Sequence, residues 1–189
     1  MTTDKIISQI IDILNVGGTI LYPTDTIWGL GCDACNPQAV EKIYRIKQRN
    51  PEKSMLILCA DLRQAANYIE DFPGRVRDIL SETTRPTTII YPKARNLPSN
   101  LTATDGSIGI RIPKSLFCNN LLKVFGRPIV STSANFSGKP SPASFSDIDK
   151  KLFDNVDFVV PQNFDDSQDN TTSQILKITT DGEITVIRK

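Results

Sequence analysis

The chain contains no histidine. That absence removes the base of a Ser/His/Asp triad, the partner of a papain-type cysteine and every His-based zinc site. Any proton transfer falls to a carboxylate, lysine, cysteine, tyrosine, substrate or water. Cysteine is sparse, with only Cys32, Cys35, Cys59 and Cys118. Cys32 and Cys35 have C-x-x-C spacing, but no second pair completes a structural zinc site and no thioredoxin-like setting surrounds them. Buried structural thiols are the plainer reading. No apolar run approaches the roughly 20 residues of a membrane span. Residues 1–18 lack the basic start and small-residue cleavage site of a signal peptide, so a cytoplasmic address is expected. The pattern G-x-x-x-x-G-K-[ST] is also missing, which excludes a Walker loop.

Net charge nearly vanishes at +1, but it is unevenly spread. Lys42, Arg45, Lys47, Arg49 and Lys53 crowd one stretch, and Asp154, Asp157, Asp165, Asp166 and Asp169 gather near the end. Such a split allows a cationic groove in a near-neutral molecule. The Lys42–Arg45 part reads equally well as a solvated helix face.

The 189 residues suit one domain, 1–189, large enough to bury a core without disulfides or metal. Ile6, Ile7, Ile10, Ile11 and Leu14 repeat at helical spacing and Gly17-Gly18 ends the helix. Thr19–Tyr22 reads as a strand stopped by Pro23. Asn36-Pro37 pairs an N-cap with a first-turn proline, and Val40, Ile43 and Tyr44 supply that helix's buried face. Met55–Cys59 reads as a buried strand, Asp61 as a cap before Leu62, Ala65, Ala66 and Ile69, and Val76, Ile79 and Leu80 as a short helix. Thr87–Tyr91 is β-branched and aromatic, hence a strand. In Ser107–Ile112, Ile108, Ile110 and Ile112 face one side, while Ser107, Gly109 and Arg111 leave open space on the other. A helix through Leu116–Phe125, a strand at Pro128–Thr132, a helix from Ser146 and a strand at Phe158–Val160 follow. Residues 161–172 read as a mobile acidic loop with almost no hydrophobic anchor. A hairpin turning at Asp181-Gly182 closes the chain. Strands and helices interleave with hairpins among them, which predicts an α/β fold with an open, twisted, mixed sheet and flanking helices.

Three segments could carry chemistry. Tyr22–Gly31, YPTDTIWGLG, is a ligand lip with the Thr24 and Thr26 hydroxyls, or a capped turn with Trp28 as core filling. Lys47 and Arg49 stand one residue apart at a helix end, where they could grip phosphates and stabilise charge developing at phosphorus. Ser131–Pro142, STSANFSGKPSP, packs hydroxyls, an amide and a lysine just after a strand.

Taken together, YPTDTIWGLG, K-x-R, the strand I-G-I-R-I-P and S-x-N-x-S-G-x-x-S-P resemble the YrdC-type threonylcarbamoyl-AMP synthase family, in the family's order, from about Thr19 to Arg188. The resemblance implies a YrdC-like α/β fold with a large basic cavity. It also implies a nucleotidyltransferase that makes threonylcarbamoyl-AMP and pyrophosphate from L-threonine, bicarbonate and ATP. A separate transferase then uses the product to modify tRNA. Carried over position by position, Lys47 and Arg49 are the catalytic cations. Lys47, Arg49, Lys53, Thr88, Ser133, Asn135, Ser141 and Arg188 would surround ATP, and Thr26, Arg111 and Ser131 would surround threonine. Mg²⁺ would arrive bound to ATP, with no protein-held metal. The family's link to tRNA and double-stranded RNA leaves a non-catalytic RNA-binding module as the alternative, against which near-neutral charge argues. The chain departs from the family pattern at Gln174, which stands where a threonine is usual, so substrate contacts near 173–174 are open.

Overall fold

The computed structural model describes residues 2–50, 54–167 and 171–189. Helix α1 (Thr3–Asn15) buries Ile6, Ile7, Ile10 and Leu14, four of the five predicted positions. Strand β1 (Thr19–Tyr22) lies between β2 (Gly29–Cys32) and β7 (Phe158–Val159). Helix α2 (Pro37–Lys47) starts as its sequence demands: the Asn36 side chain accepts from the amides of Gln38 and Ala39. The remaining strands are β3 (Leu56–Leu58), β4 (Thr87–Tyr91), β5 (Ile108–Arg111), β6 (Ile129–Ser133), β8 (Gln174–Ile178) and β9 (Ile184–Arg188). The remaining helices are α3 (Leu62–Ala66), α4 (Val76–Glu82), α5 (Leu116–Phe125) and α6 (Lys150–Phe153).

The strands form one sheet in the order β7-β1-β2-β6-β3-β5-β4-β8-β9. Pairings β1–β7, β3–β5 and β4–β8 are parallel and the others antiparallel, which is the mixed sheet the sequence predicts. Successive side chains take opposite faces, and the core divides accordingly. Leu21, Ile57, Ile89, Ile110 and Val130 pack with α2, α3 and α4. Ile20, Leu58 and Ile129 pack with α1 and α5. On this second face, further along the strands, Leu56, Thr88, Gly109, Arg111 and Ser131 line a cavity instead of a core.

Three expectations change. The segment after Tyr22 is half strand: β2 pairs with β1 from Tyr22↔Gly29 to Thr19↔Cys32. Its glycines are required by crowding, because a Cβ on Gly31 would stand 2.7 Å from Tyr22 Cε1 and 2.8 Å from the Val130 carbonyl. No long helix starts at Ser146. A 3-10 turn, Phe145–Asp147, is capped from Ser144, and the four-residue α6 follows. The described part of the acidic loop is anchored rather than free. Phe164 packs on Phe117 with ring centroids 5.6 Å apart, and Asp166 accepts from the Leu116 and Phe117 amides at the start of α5.

Candidate active site

The cavity holds about 330 Å³ and is lined by Arg49, Arg111 and Arg188, by hydroxyls and by a few apolar side chains. No carboxylate stands among its described lining residues. Its floor is the outward parity of β4, β5 and β6. The alternation read in Ser107–Ile112 holds there, since Ile108 and Ile110 enter the core while Ser107, Gly109 and Arg111 line the cavity.

One part of the wall is built by the turn after β1. Thr24 Oγ1 donates to the Ile27 carbonyl at 2.7 Å, accepts the Thr26 amide at 3.1 Å and lies 2.9 Å from Thr26 Oγ1. Both threonines are buried and line the cavity. Between them, Asp25 turns away to meet Arg111 at 3.3 Å, and the Lys114 amide donates to its other oxygen at 3.0 Å. Arg111 Nη2 also donates to Thr24 Oγ1 at 3.4 Å. Its Nε is buried with no hydrogen-bond partner among the described residues. A buried guanidinium N–H left unpaired is costly, and a ligand carboxylate or phosphate would satisfy it.

A second part of the wall lies where α2 stops. Gln48 takes a left-handed backbone (φ +50°), so Arg49 leaves the helix axis and joins the cavity wall, donating to the Ser54 carbonyl at 2.9 Å. Lys47 lies behind that wall, 1% exposed. Its ammonium meets three acceptors: the Ser133 carbonyl at 2.5 Å, the Asn135 carbonyl at 2.7 Å and Asn135 Oδ1 at 3.1 Å. Burial, with the Arg49 charge second, pulls Lys47 down to about 7. Ser133 Oγ donates to Asn135 Oδ1, and Asn135 Nδ2 donates to the Lys139 carbonyl. The expected Lys47, Ser133 and Asn135 are therefore one knot, but only Ser133 lines the cavity. Lys47 and Asn135 hold the 133–139 loop from behind.

Thr88, Ser131, Ser141 and Arg188 also line the cavity. Lys53 lies outside the described residues. Arg188 donates through Nε and Nη2 to the Ser173 carbonyl, and Ser173 Oγ lies 2.8 Å from Thr88 Oγ1. Burial and then the Arg111 charge lower the Arg188 guanidinium, so the two cations act on one space. Gln174 points to the opposite face, where Nε2 donates to Thr83 and Thr87. The departure from the family pattern at 174 does not reach the cavity. Lys42 and Arg45 do not line the cavity either: Lys42 caps the Gly17 carbonyl and Arg45 pairs with Glu41 on the surface.

Ser173, Asp25 and Trp28 are the residues that sequence reasoning missed or undervalued. Trp28 is buried core, as one reading had it, yet it also lines the cavity, and its indole donates to Asp165 at 2.7 Å. The signal for Asp25 was the acid between two threonines, legible only once Arg111 is known to face it. Burial raises all four cysteine thiols. Cys32, Cys59 and Cys118 are buried, whereas Cys35 is half-exposed.

The Sua5/YciO/YrdC family model, described as telomere recombination, matches residues 12–189. The threonylcarbamoyl-AMP synthase of Pseudoalteromonas translucida is 34% identical over 165 residues, 86% of this chain and 88% of that protein. The structure of E. coli YciO superposes with a TM-score of 0.82 at 26% identity, covering 98% of this chain and 89% of that one. P. abyssi Sua5 complexed with L-threonine has a TM-score of 0.80 at 23% identity and covers 94% of this chain, which spans about half (52%) of that protein's length. The family match over residues 12–189, the 34% identity to a curated member and the superposition on E. coli YciO agree, and the chain belongs to the Sua5/YciO/YrdC family.

Proposed function

We propose that this protein makes threonylcarbamoyl-AMP and pyrophosphate from L-threonine, bicarbonate and ATP, for use by a separate transferase that modifies tRNA. The observation that carries this reading is the pair of side-chain groups that line one cavity. One group is Arg111, whose buried Nε has no hydrogen-bond partner among the described residues, with the Thr24 and Thr26 hydroxyls. The other is Arg49, Ser133 and Ser141, with Arg188. The first suits an amino-acid carboxylate and a small hydroxylated side chain, with Ser131 alongside. The second, with Thr88, suits a nucleotide phosphate chain. The name of the Pseudoalteromonas relative and the threonine bound to P. abyssi Sua5 support this reading.

In this reading the threonine amine and bicarbonate condense to a carbamate with loss of water. A carbamate oxygen then attacks the α-phosphorus of ATP, and pyrophosphate leaves with the bond's electron pair. Holding three reactants in one cavity supplies much of the rate by orientation. Arg49 neutralises the charge that grows on the leaving group. Lys47 and Asn135 act from behind, fixing the loop that presents Ser133. Magnesium belongs to the substrate as MgATP. The described cavity lining offers hydroxyls and guanidiniums but no carboxylate, the ligand Mg²⁺ usually takes from protein. No protein nucleophile is needed, in keeping with a chain that has no histidine.

Pyrophosphate release from MgATP and bicarbonate, scanned over all amino acids, tests the proposal. Release that depends on threonine is expected. No release with any amino acid, together with tight binding of tRNA or double-stranded RNA, would replace it with the RNA-binding reading.

A further inference from the structure

A second hollow of about 780 Å³ opens on the opposite face of the sheet, between α3, α4 and the ends of β4 and β5. The two are separated by strand β4, whose Thr88 lines the first and Thr87 the second. Four cations stand around the second hollow: Arg63, Arg77, Arg85 and Lys114. The only acid in its described lining is Asp61, and one of that carboxylate's oxygens caps α3 by accepting the Gln64 amide at 2.8 Å. Among the described residues, none of the four cations forms an ion pair with a carboxylate. Lys114 is held in place by the Thr83 and Thr84 carbonyls at 3.3 and 2.8 Å, so its charge is fixed at the rim. Leu62, Leu80, Ile112 and Pro113 give the same hollow an apolar lining.

Like charges gathered around one concavity repel one another and raise the local potential for an anion. A pocket of this size, apolar within and cationic at the rim, has the form of a small-molecule site rather than of a flat polyanion track. We infer that the hollow beneath α3 and α4 is a second binding site, for a phosphorylated small molecule of nucleotide type. Its phosphates meet Arg63, Arg77, Arg85 and Lys114, and its base or other flat apolar part lies against Leu62, Leu80, Ile112 and Pro113. The site stands on residues that the reaction cavity does not use, so it holds whether or not the reaction proposed above is correct.

Calorimetric titration of the full chain with ATP, and separately with inorganic pyrophosphate, tests the inference, with the R77Q/R85Q double variant as the comparison. Arg77 and Arg85 are exposed, so the variant keeps its fold, checked by circular dichroism and urea unfolding. Wild type should bind one more equivalent of ATP than the variant, in which affinity at this site is at least tenfold weaker and threonine-dependent pyrophosphate release is unchanged. Amide-resonance shifts on ATP addition at Thr83, Thr87 and Ile112, lost in the variant, place the ligand. One equivalent in both proteins overturns the inference. So does unchanged nucleotide stoichiometry combined with RNA oligonucleotide binding that the variant loses, which would make this face an RNA contact. Loss of pyrophosphate release in wild type with two ATP sites intact would sink the proposed reaction and leave this site standing.

Discussion

Arg111 and Asp25 form an ion pair at 3.3 Å in which each side chain is only 5% exposed. The pair joins β5 to the turn after β1, and Asp25 is held from its other oxygen by the Lys114 amide. Removing one partner of a buried pair strands the other charge, at a cost of about 3–5 kcal/mol. Asp25→Ala should lose stability on that scale in urea unfolding. Asp25→Asn keeps the shape and should cost less. It frees Arg111 from its fixed orientation, so the KM for threonine should rise at least tenfold while the KM for ATP stays near wild type. Equal changes in both constants would remove Asp25 from threonine positioning.

Arg49→Ala should abolish threonine-dependent pyrophosphate release and leave the fold intact. Arg49 is only half-buried, so the stability change should stay within about 1 kcal/mol. Wild-type turnover in this variant would take Arg49 out of the mechanism.

Gly31 and Gly29 occupy one strand but should fail differently. Alanine at 31 drives a methyl into Tyr22 and the Val130 carbonyl, which should cost about 1–3 kcal/mol in urea unfolding. Alanine at 29 meets the Thr132 carbonyl at 3.3 Å and Ser131 Oγ at 3.4 Å, on the cavity wall. It should lose less stability and more substrate affinity. A stability loss at 29 equal to that at 31 would contradict this division.

Much of the fold is legible because local chemistry and tertiary fit agree. Asn36 and Asp61 cap the helices they were expected to cap, and the alternation of Ser107–Ile112 separates core from cavity. Strand β2 was illegible because Gly-Leu-Gly-Cys has no strand propensity. It becomes a strand through its antiparallel ladders with β1 and β6, which only the assembled sheet reveals. Gln174 read as a threat to the site because sequence spacing alone does not set strand parity. Its pairing with Thr87 sends it to the far face. Lys47 and Arg49 read as a matched pair because they stand one residue apart at a helix end. The left-handed Gln48 separates them, sending Arg49 to the cavity and Lys47 behind it. The contacts of Asp165 and Asp166, in the described part of the acidic loop, were illegible because their partners, Trp28 and the start of α5, are remote in sequence.

Trp28 is the only tryptophan, and it touches both the cavity and Asp165. Its fluorescence should therefore report ligand binding without any label. Addition of MgATP or threonine should change its intensity saturably. Asp165→Ala removes the indole's acceptor, leaves a buried N–H unpaired and should cost about 1–3 kcal/mol. A variant with the spectrum and stability of wild type would show that this bond does not hold the loop.

Lys47 links the site to pH. Its folded value, about 7, lies below the ordinary lysine value of 10.5. The folded state therefore gives up this proton first as pH rises, and between those values the unfolded chain binds more protons. Stability rises with pH wherever that holds, so the Lys47 contribution is least favourable below pH 7 and improves towards pH 10. The slope is at most about 1.4 kcal/mol per pH unit. Urea unfolding at pH 6, 7.5 and 9 should show this upward trend in wild type and its absence in Lys47→Met, which cannot titrate. The same loss of a proton leaves two hydrogens for three acceptors, and the longest contact, to Asn135 Oδ1, is the one to yield. Parallel pH profiles in the two proteins would mean that Lys47 stays charged across the range, held by the Ser133 and Asn135 carbonyls against the cost of burial.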